Sequence, residues 1–126
     1  MTIKATTARR MTEAEKARRE RSRDNIAATL AIRAARAELR VNANEAEVAA
    51  FEKFAARFPD LPRVNVVLLW DQCPKATRVN TRQAWPLDYD DPRRVRRDAA
   101  GVWLLFIIDG ALRGVELFDK AATDPA

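Results

Sequence analysis

Apolar positions recur along this chain with three different spacings, and each spacing predicts a different element. From Glu13 to about Arg40 there is no Pro or Gly, and Ala, Arg, Glu and Leu dominate, all strong helix formers. Ile26, Leu30, Ala34, Ala37 and Val41 repeat in three- and four-residue steps, which predicts one long helix with an apolar seam. Thr12 followed by Glu15 matches a capping box at its start, where hydroxyl and carboxylate satisfy each other's backbone donors. Asn42 breaks the pattern. Asn44 with Glu47 repeats the cap logic for a second helix ending at Phe58-Pro59, with Val48, Phe51, Ala55 and Phe58 on one face and Phe54 beside them.

Beyond Pro62 the period changes. Val64 to Trp70 is β-branched or apolar at nearly every position and predicts a central strand covered on both faces. After the turn residues Asp71 to Lys75, Thr77 to Trp85 alternates, with Arg78, Asn80 and Arg82 on one side, predicting an edge strand with a basic outer row. Asp91-Pro92 predicts the start of a short helix that reaches about Ala100 and is stopped by Gly101. Val102 to Ile108, Asp109-Gly110 and Ala111 to Phe118 read as a β-hairpin with a two-residue type I′ turn. The expected fold is α+β: a long N-terminal helix and a second helix, then a largely antiparallel four-stranded sheet with a short inserted helix. Residues 1–11 read as a flexible basic arm, 12–120 as one domain and 121–126 as a disordered tail.

One tension remains in this pattern. Val64 to Trp70 and the first hairpin strand, Val102 to Ile108, are apolar on both faces, whereas two helices cover only one. A homodimer or a protein partner is therefore expected over the second face, unless the long helix folds back onto it.

Composition acts mainly by exclusion. The 126 residues include no His and one Cys, which removes the commonest metal ligand and acid–base group as well as any intramolecular disulfide. Three Gly leave no room for a glycine-rich phosphate cradle, and no Walker loop or Gly-x-Ser-x-Gly elbow occurs. Cys73-Pro74 lacks the second Cys of a dithiol redox site. Asp88, Asp90 and Asp91 have no distant carboxylate signature to complete a Mg²⁺ site. No catalytic residue, metal or cofactor is assigned, and a non-enzymatic role is expected. The longest apolar run, residues 99–108, is about half of the ~20 residues that span a bilayer, and the N-terminus lacks a secretory apolar segment. A cytoplasmic protein with no membrane contact is expected.

Charge placement supplies the positive argument. The net charge is +5, but residues 1–40 hold 11 Lys+Arg against 5 Asp+Glu, so the basicity belongs to the N-terminal third. High-GC coding enriches both Arg and Ala, and Ala fills 24 positions, so the placement of Arg matters more than its number. Advancing ~100° per residue, Arg18, Ser22, Asn25, Thr29, Arg33, Arg36 and Arg40 form one stripe without an acidic residue. Glu13, Glu20, Asp24 and Glu38 gather on the far side. Arg, Ser, Thr and Asn reach phosphate oxygens and base edges, and a carboxylate in that row would repel a polyanion. Lys4, Arg9 and Arg10 in the arm extend the reach. An Ala-rich helix with arginines on a merely solvated face would show the same stripe.

A second cluster, Arg93, Arg94, Arg96 and Arg97, lies beside Asp88, Asp90 and Asp91, which suggests local pairing. With Arg78 and Arg82 it would form a second phosphate patch. Of the three tryptophans, Trp70 and Trp103 are expected in core or interface, and Trp85 is the surface candidate for stacking. The sequence thus predicts a small dimeric nucleic-acid-binding accessory or regulatory protein of bacterial type, contacting DNA or RNA through the helix stripe and arm. The rival is a protein-interaction module, an inhibitor or assembly adaptor, docking through the long helix and an uncovered sheet face.

Overall fold

Thr12 and Asn44 open the two N-terminal helices of the computed structural model, which describes residues 11–126. The Thr12 hydroxyl accepts from the Glu15 N–H at 3.0 Å and the Asn44 side-chain oxygen from the Glu47 N–H at 2.9 Å, so both expected residues serve as N-caps. Helix α1 runs Glu13–Val41 and α2 runs Glu45–Ala55. Along α1 the buried residues are Ala27, Leu30, Ala34, Ala37 and Val41; Ile26, expected in this seam, is 39% exposed and Ala27 takes its place. The predicted arm lies outside the described residues except for Met11, which is exposed.

The segment predicted as a central strand is a helix, α3 (Arg63–Gln72). Val66, Val67, Leu68 and Leu69 are all 4% exposed or less, because α3 lies against α1, α2 and the hairpin. The enclosed centre of this helix needs no polar stripe, so its apolar run, broken only by Asn65, imitates a buried strand.

The hairpin forms as predicted. Strands β3 (Val102–Ile108) and β4 (Ala111–Asp119) pair in register from Val102↔Leu117 to Ile108↔Ala111, and Asp109 (φ 52°) and Gly110 (φ 79°) supply the positive φ angles of the turn. The edge strand is shorter than expected. Of Thr77 to Trp85 only β1 (Val79–Asn80) pairs with β4, giving a three-stranded sheet of order β1-β4-β3. Trp85–Leu87 is a 3₁₀ turn, since Pro86 has no N–H to give to a ladder.

Residues 92–100 form no helix; Arg93–Val95 is strand β2, paired antiparallel with β5 (Thr123–Pro125). The tail expected to be disordered is therefore ordered, and a 3₁₀ turn, Lys120–Ala122, leads into it. Side chains hold it: Arg93 donates to the Thr123 hydroxyl at 2.6 Å and Arg96 to the Ala121 carbonyl at 2.7 Å. The four-stranded sheet is thus replaced by a three-stranded and a two-stranded sheet, and the fold is α+β.

Both faces of β3 are covered within the chain at its centre. Leu104 and Leu105 point to opposite faces and are 0% and 6% exposed. On the Leu105 face Gly114 lets α1 approach, since a Cβ there would lie 2.7 Å from Ile26 Cγ2 and 2.9 Å from Leu30 Cδ1. Towards the turn the cover ends, leaving Ile107, Ile108 and Leu112 exposed. Trp85, Val95 and Phe118 make a second, smaller core beneath β2 and β5. No helix among the described residues is long and apolar enough to cross a membrane.

Candidate nucleic-acid interface

The α1 stripe is on the surface over its whole length: Arg18, Ser22, Asn25, Thr29, Arg33, Arg36 and Arg40 are all exposed. Helix α3 adds a carboxylate that the helical wheel of α1 cannot reveal. Asp71 accepts from Arg33 Nε at 2.6 Å and from Arg40 Nη2. The two arginines are seven residues apart, two turns of one face, so one carboxylate reaches both. Burial pushes the Asp71 carboxyl up, but the hydrogen bonds and charges of Arg33 and Arg40 outweigh it and hold the group below the usual carboxylate range. The stripe therefore carries less charge than its sequence shows, and its arginines are oriented. Arg18 and Arg36 form no ion pair among the described residues.

Acidic residues on the other side of α1 are engaged elsewhere. Asp24 pairs with Arg113 of β4 at 3.4 Å, and Glu38 with Arg63 of α3 at 2.8 Å. These contacts tie the helix to the body and leave the stripe facing outward.

A groove of about 360 Å³ opens where the stripe meets the hairpin. Ser22, Asn25, Thr29 and Arg33 line it from α1, with Gln72 from α3 and Trp103 from β3. Trp103, expected in core or interface, is 38% exposed. Trp85, the expected surface tryptophan, is fully buried, its indole N–H donating to the Phe118 carbonyl at 2.9 Å. Trp70 packs against Phe51 and Phe54. Sequence reasoning missed Asp71 and Trp103. The seven-residue spacing of Arg33 and Arg40 was a signal for a shared partner, and Gly114 in the neighbouring strand was a signal for a large side chain lying across it.

The second basic cluster is scattered by its own contacts. Arg78 pairs with Asp88 and lies 5.3 Å from the centre of the Trp85 ring, and Arg82 lies 4.8 Å from that of Phe118. Both remain exposed, but they belong to no outward strand row. Asp88 also accepts from the backbone N–H groups of Asp90 and Asp91, folding the acidic loop onto itself. Asp91 pairs with Lys120 at 3.0 Å and Arg93 at 3.5 Å; chiefly the Lys120 hydrogen bond holds its carboxyl below the ordinary range. Arg94 and Arg97, exposed and without an ion pair among the described residues, line a groove of about 740 Å³ with Arg82 and Arg96, flanked by Asp98 and Asp124. Arg9 and Arg10 lie outside the described residues.

The opposite flank of α1 is chemically different. A groove of about 720 Å³, almost wholly apolar, runs between α1, the start of α3 and the hairpin tip, lined by Ala31, Ala35, Val64, Phe106, Ile107 and Leu112. Among the described residues no group of three or more His, Cys, Asp or Glu side chains has metal-binding geometry. No protein-family model, curated protein or solved structure matches the chain.

Proposed function

We propose that this chain is a small non-enzymatic nucleic-acid-binding protein of accessory or regulatory kind, which engages phosphates through the exposed row of α1. The observation that carries the reading is the state of that row: seven exposed Arg, Ser, Asn and Thr side chains with no carboxylate of α1 among them. Asp71 does not remove the row's capacity. A guanidinium has five N–H donors, of which Arg33 gives Nε–H and Arg40 one of its Nη2–H groups to Asp71. The remaining donors are held at fixed positions along the helix. Arg78 and Arg82 contribute less to this reading, since their guanidiniums lie over aromatic rings.

Fluorescence anisotropy with labelled single- and double-stranded oligonucleotides, titrated at several salt concentrations, tests it. Affinity should fall steeply with salt, and Arg36→Ala should reduce the slope of log K against log salt by about one. Absence of binding at low salt would make the row a solvated face and overturn the reading.

The apolar groove favours a second reading, a protein-interaction module. Ile107 is 76% exposed, Leu39 75% and Ile32 55%, on the hairpin tip and the flank of α1 adjoining the groove. A homodimer would bury this surface. Light scattering that gives twice 14.2 kDa for the native chain and 14.2 kDa for Ile107→Glu supports it; a 14.2 kDa species at all micromolar concentrations excludes the homodimer.

A further inference from the structure

We infer that Trp103 is a stacking platform for an unpaired base, so that the nucleic acid taken by the α1 face is single-stranded. The inference rests on the nucleic-acid reading above and names its substrate class. Trp103 is the most exposed of the three tryptophans, since Trp85 is buried and Trp70 packs against two phenylalanines. Large aromatic surface left in water on a structured strand is a feature of contact sites.

Its position is built. The Gln72 amide donates to the Trp103 carbonyl and accepts from the Trp103 N–H, both at 2.8 Å, fixing the strand beneath the ring. Gly114 lets Ile26 and Leu30 of α1 pack down beside the ring: a Cβ there would lie 2.7 Å from Ile26 Cγ2, 2.9 Å from Leu30 Cδ1 and 3.5 Å from Trp103 Cε3. Glu116, directly across the strand pair from Trp103, turns its carboxylate to the Gly101 N–H at 3.3 Å.

The surroundings match the two ends of a nucleotide. Ser22, Asn25 and Thr29 border the groove with side chains that bond base edges, and Arg33, steadied by Asp71, supplies the cation for the adjoining phosphate. In a duplex the π-faces of the bases are already stacked on one another and are not offered to a side-chain ring. An unpaired base can. Single-strand binding surfaces combine these same two parts, a backbone-tracking positive row and an aromatic ring, and one ring contributes about 5- to 150-fold in affinity.

The test is anisotropy with three fluorescein-labelled probes about 12 nucleotides long, a site size within the range of single-strand binders: oligo-dT, an abasic strand of the same length, and a duplex. The native chain is expected to bind oligo-dT about 10-fold more tightly than the abasic strand, and more tightly than the duplex. Trp103→Ala should lower oligo-dT binding to the abasic level, and Trp103→Phe should retain most of it. Equal affinity of the native chain for oligo-dT and the abasic strand, or a preference for the duplex, overturns the stacking site while leaving the phosphate reading intact. Binding to none of the three overturns both. The comparison of oligo-dT with the abasic strand uses only the native chain, so equal affinity overturns the stacking site even where Trp103→Ala does not fold.

Discussion

Asn65 and Leu105 exchange two hydrogen bonds as a pair of strand residues would. The Asn65 amide donates to the Leu105 carbonyl and its oxygen accepts from the Leu105 N–H, both at 2.7 Å. Gln72, two turns further along α3, makes the same exchange with Trp103, two residues back along β3. Residues 103 and 105 point their backbone groups away from β4, so the two amides cap the open edge of the sheet. Asn65→Ala leaves a buried N–H and a buried C=O without partners, at about 1–3 kcal/mol each. A loss of about 2–5 kcal/mol is expected in urea denaturation. Gln72→Ala should cost less, because water reaches the partly exposed Trp103 backbone. Equal losses for the two variants would count against the edge-capping role of Asn65.

The same pair shows how far the sequence was legible. Both helix caps, the long helix and the hairpin with its Asp-Gly turn were readable, because each is fixed by local chemistry and by spacing along one element. Val64 to Trp70 was not, since a helix buried on all sides and a strand buried on both faces present the same apolar run. Asn65 was the one dissenting residue: a carboxamide within that run needs a buried partner, and α3 supplies the geometry for it. Strands β2 and β5 escaped notice because Arg93 and Arg96 hold the tail through backbone carbonyls, contacts that no short-range pattern records. At the candidate interface the stripe was visible on α1 alone. Asp71 and Trp103 reach it from other elements, so only the folded chain brings them there.

Gly114 is predicted to resist enlargement. The Cβ of Gly114→Ala meets Ile26 Cγ2 at 2.7 Å and Leu30 Cδ1 at 2.9 Å, closer than carbon atoms pack. Leu30 is buried and hemmed in, so α1 must shift off β4, at a cost of about 1–3 kcal/mol. Ile26 is partly exposed, and Ile26→Ala frees some of the space. The double variant should therefore regain part of the melting temperature lost by Gly114→Ala, which thermal denaturation of the three proteins would show.

Cys73 is predicted to be a sluggish thiol. Burial pushes its pKa up first, the charge of Asp119 adds to the shift, and hydrogen bonds from the Lys75 and Ala76 backbone only partly oppose it. The thiolate is the reactive form, so raising the pKa makes it scarce at neutral pH. Alkylation by iodoacetamide at pH 7 should run several-fold slower than for a small unstructured thiol, and its rate should keep rising at a pH where the model thiol has levelled off. Asp119→Asn should speed the reaction at pH 7, provided the variant keeps its native circular dichroism, since Asp119 also accepts from the Thr77 N–H at 2.9 Å.

Asp71 makes the stability of the α1–α3 contact depend on pH, with a sign set by its two partners. Arg33 and Arg40 hold its folded-state pKa below the unfolded value of about 3.9. The ionised group therefore contributes fully above that value, and the contribution is lost as pH falls through the depressed folded pKa. The Asp71 side chain is 13% exposed but the arginines are 47% and 61% exposed, so solvent screening limits the effect to about 1 kcal/mol. Asp71→Asn keeps the size and an acceptor while removing the charge. Urea midpoints of the two proteins should differ at pH 7 in favour of the native chain, and the gap should narrow as the pH is lowered past the unfolded value of about 3.9. A gap that stays constant between the two pH values would mean that packing, and not the shared carboxylate, joins the two helices.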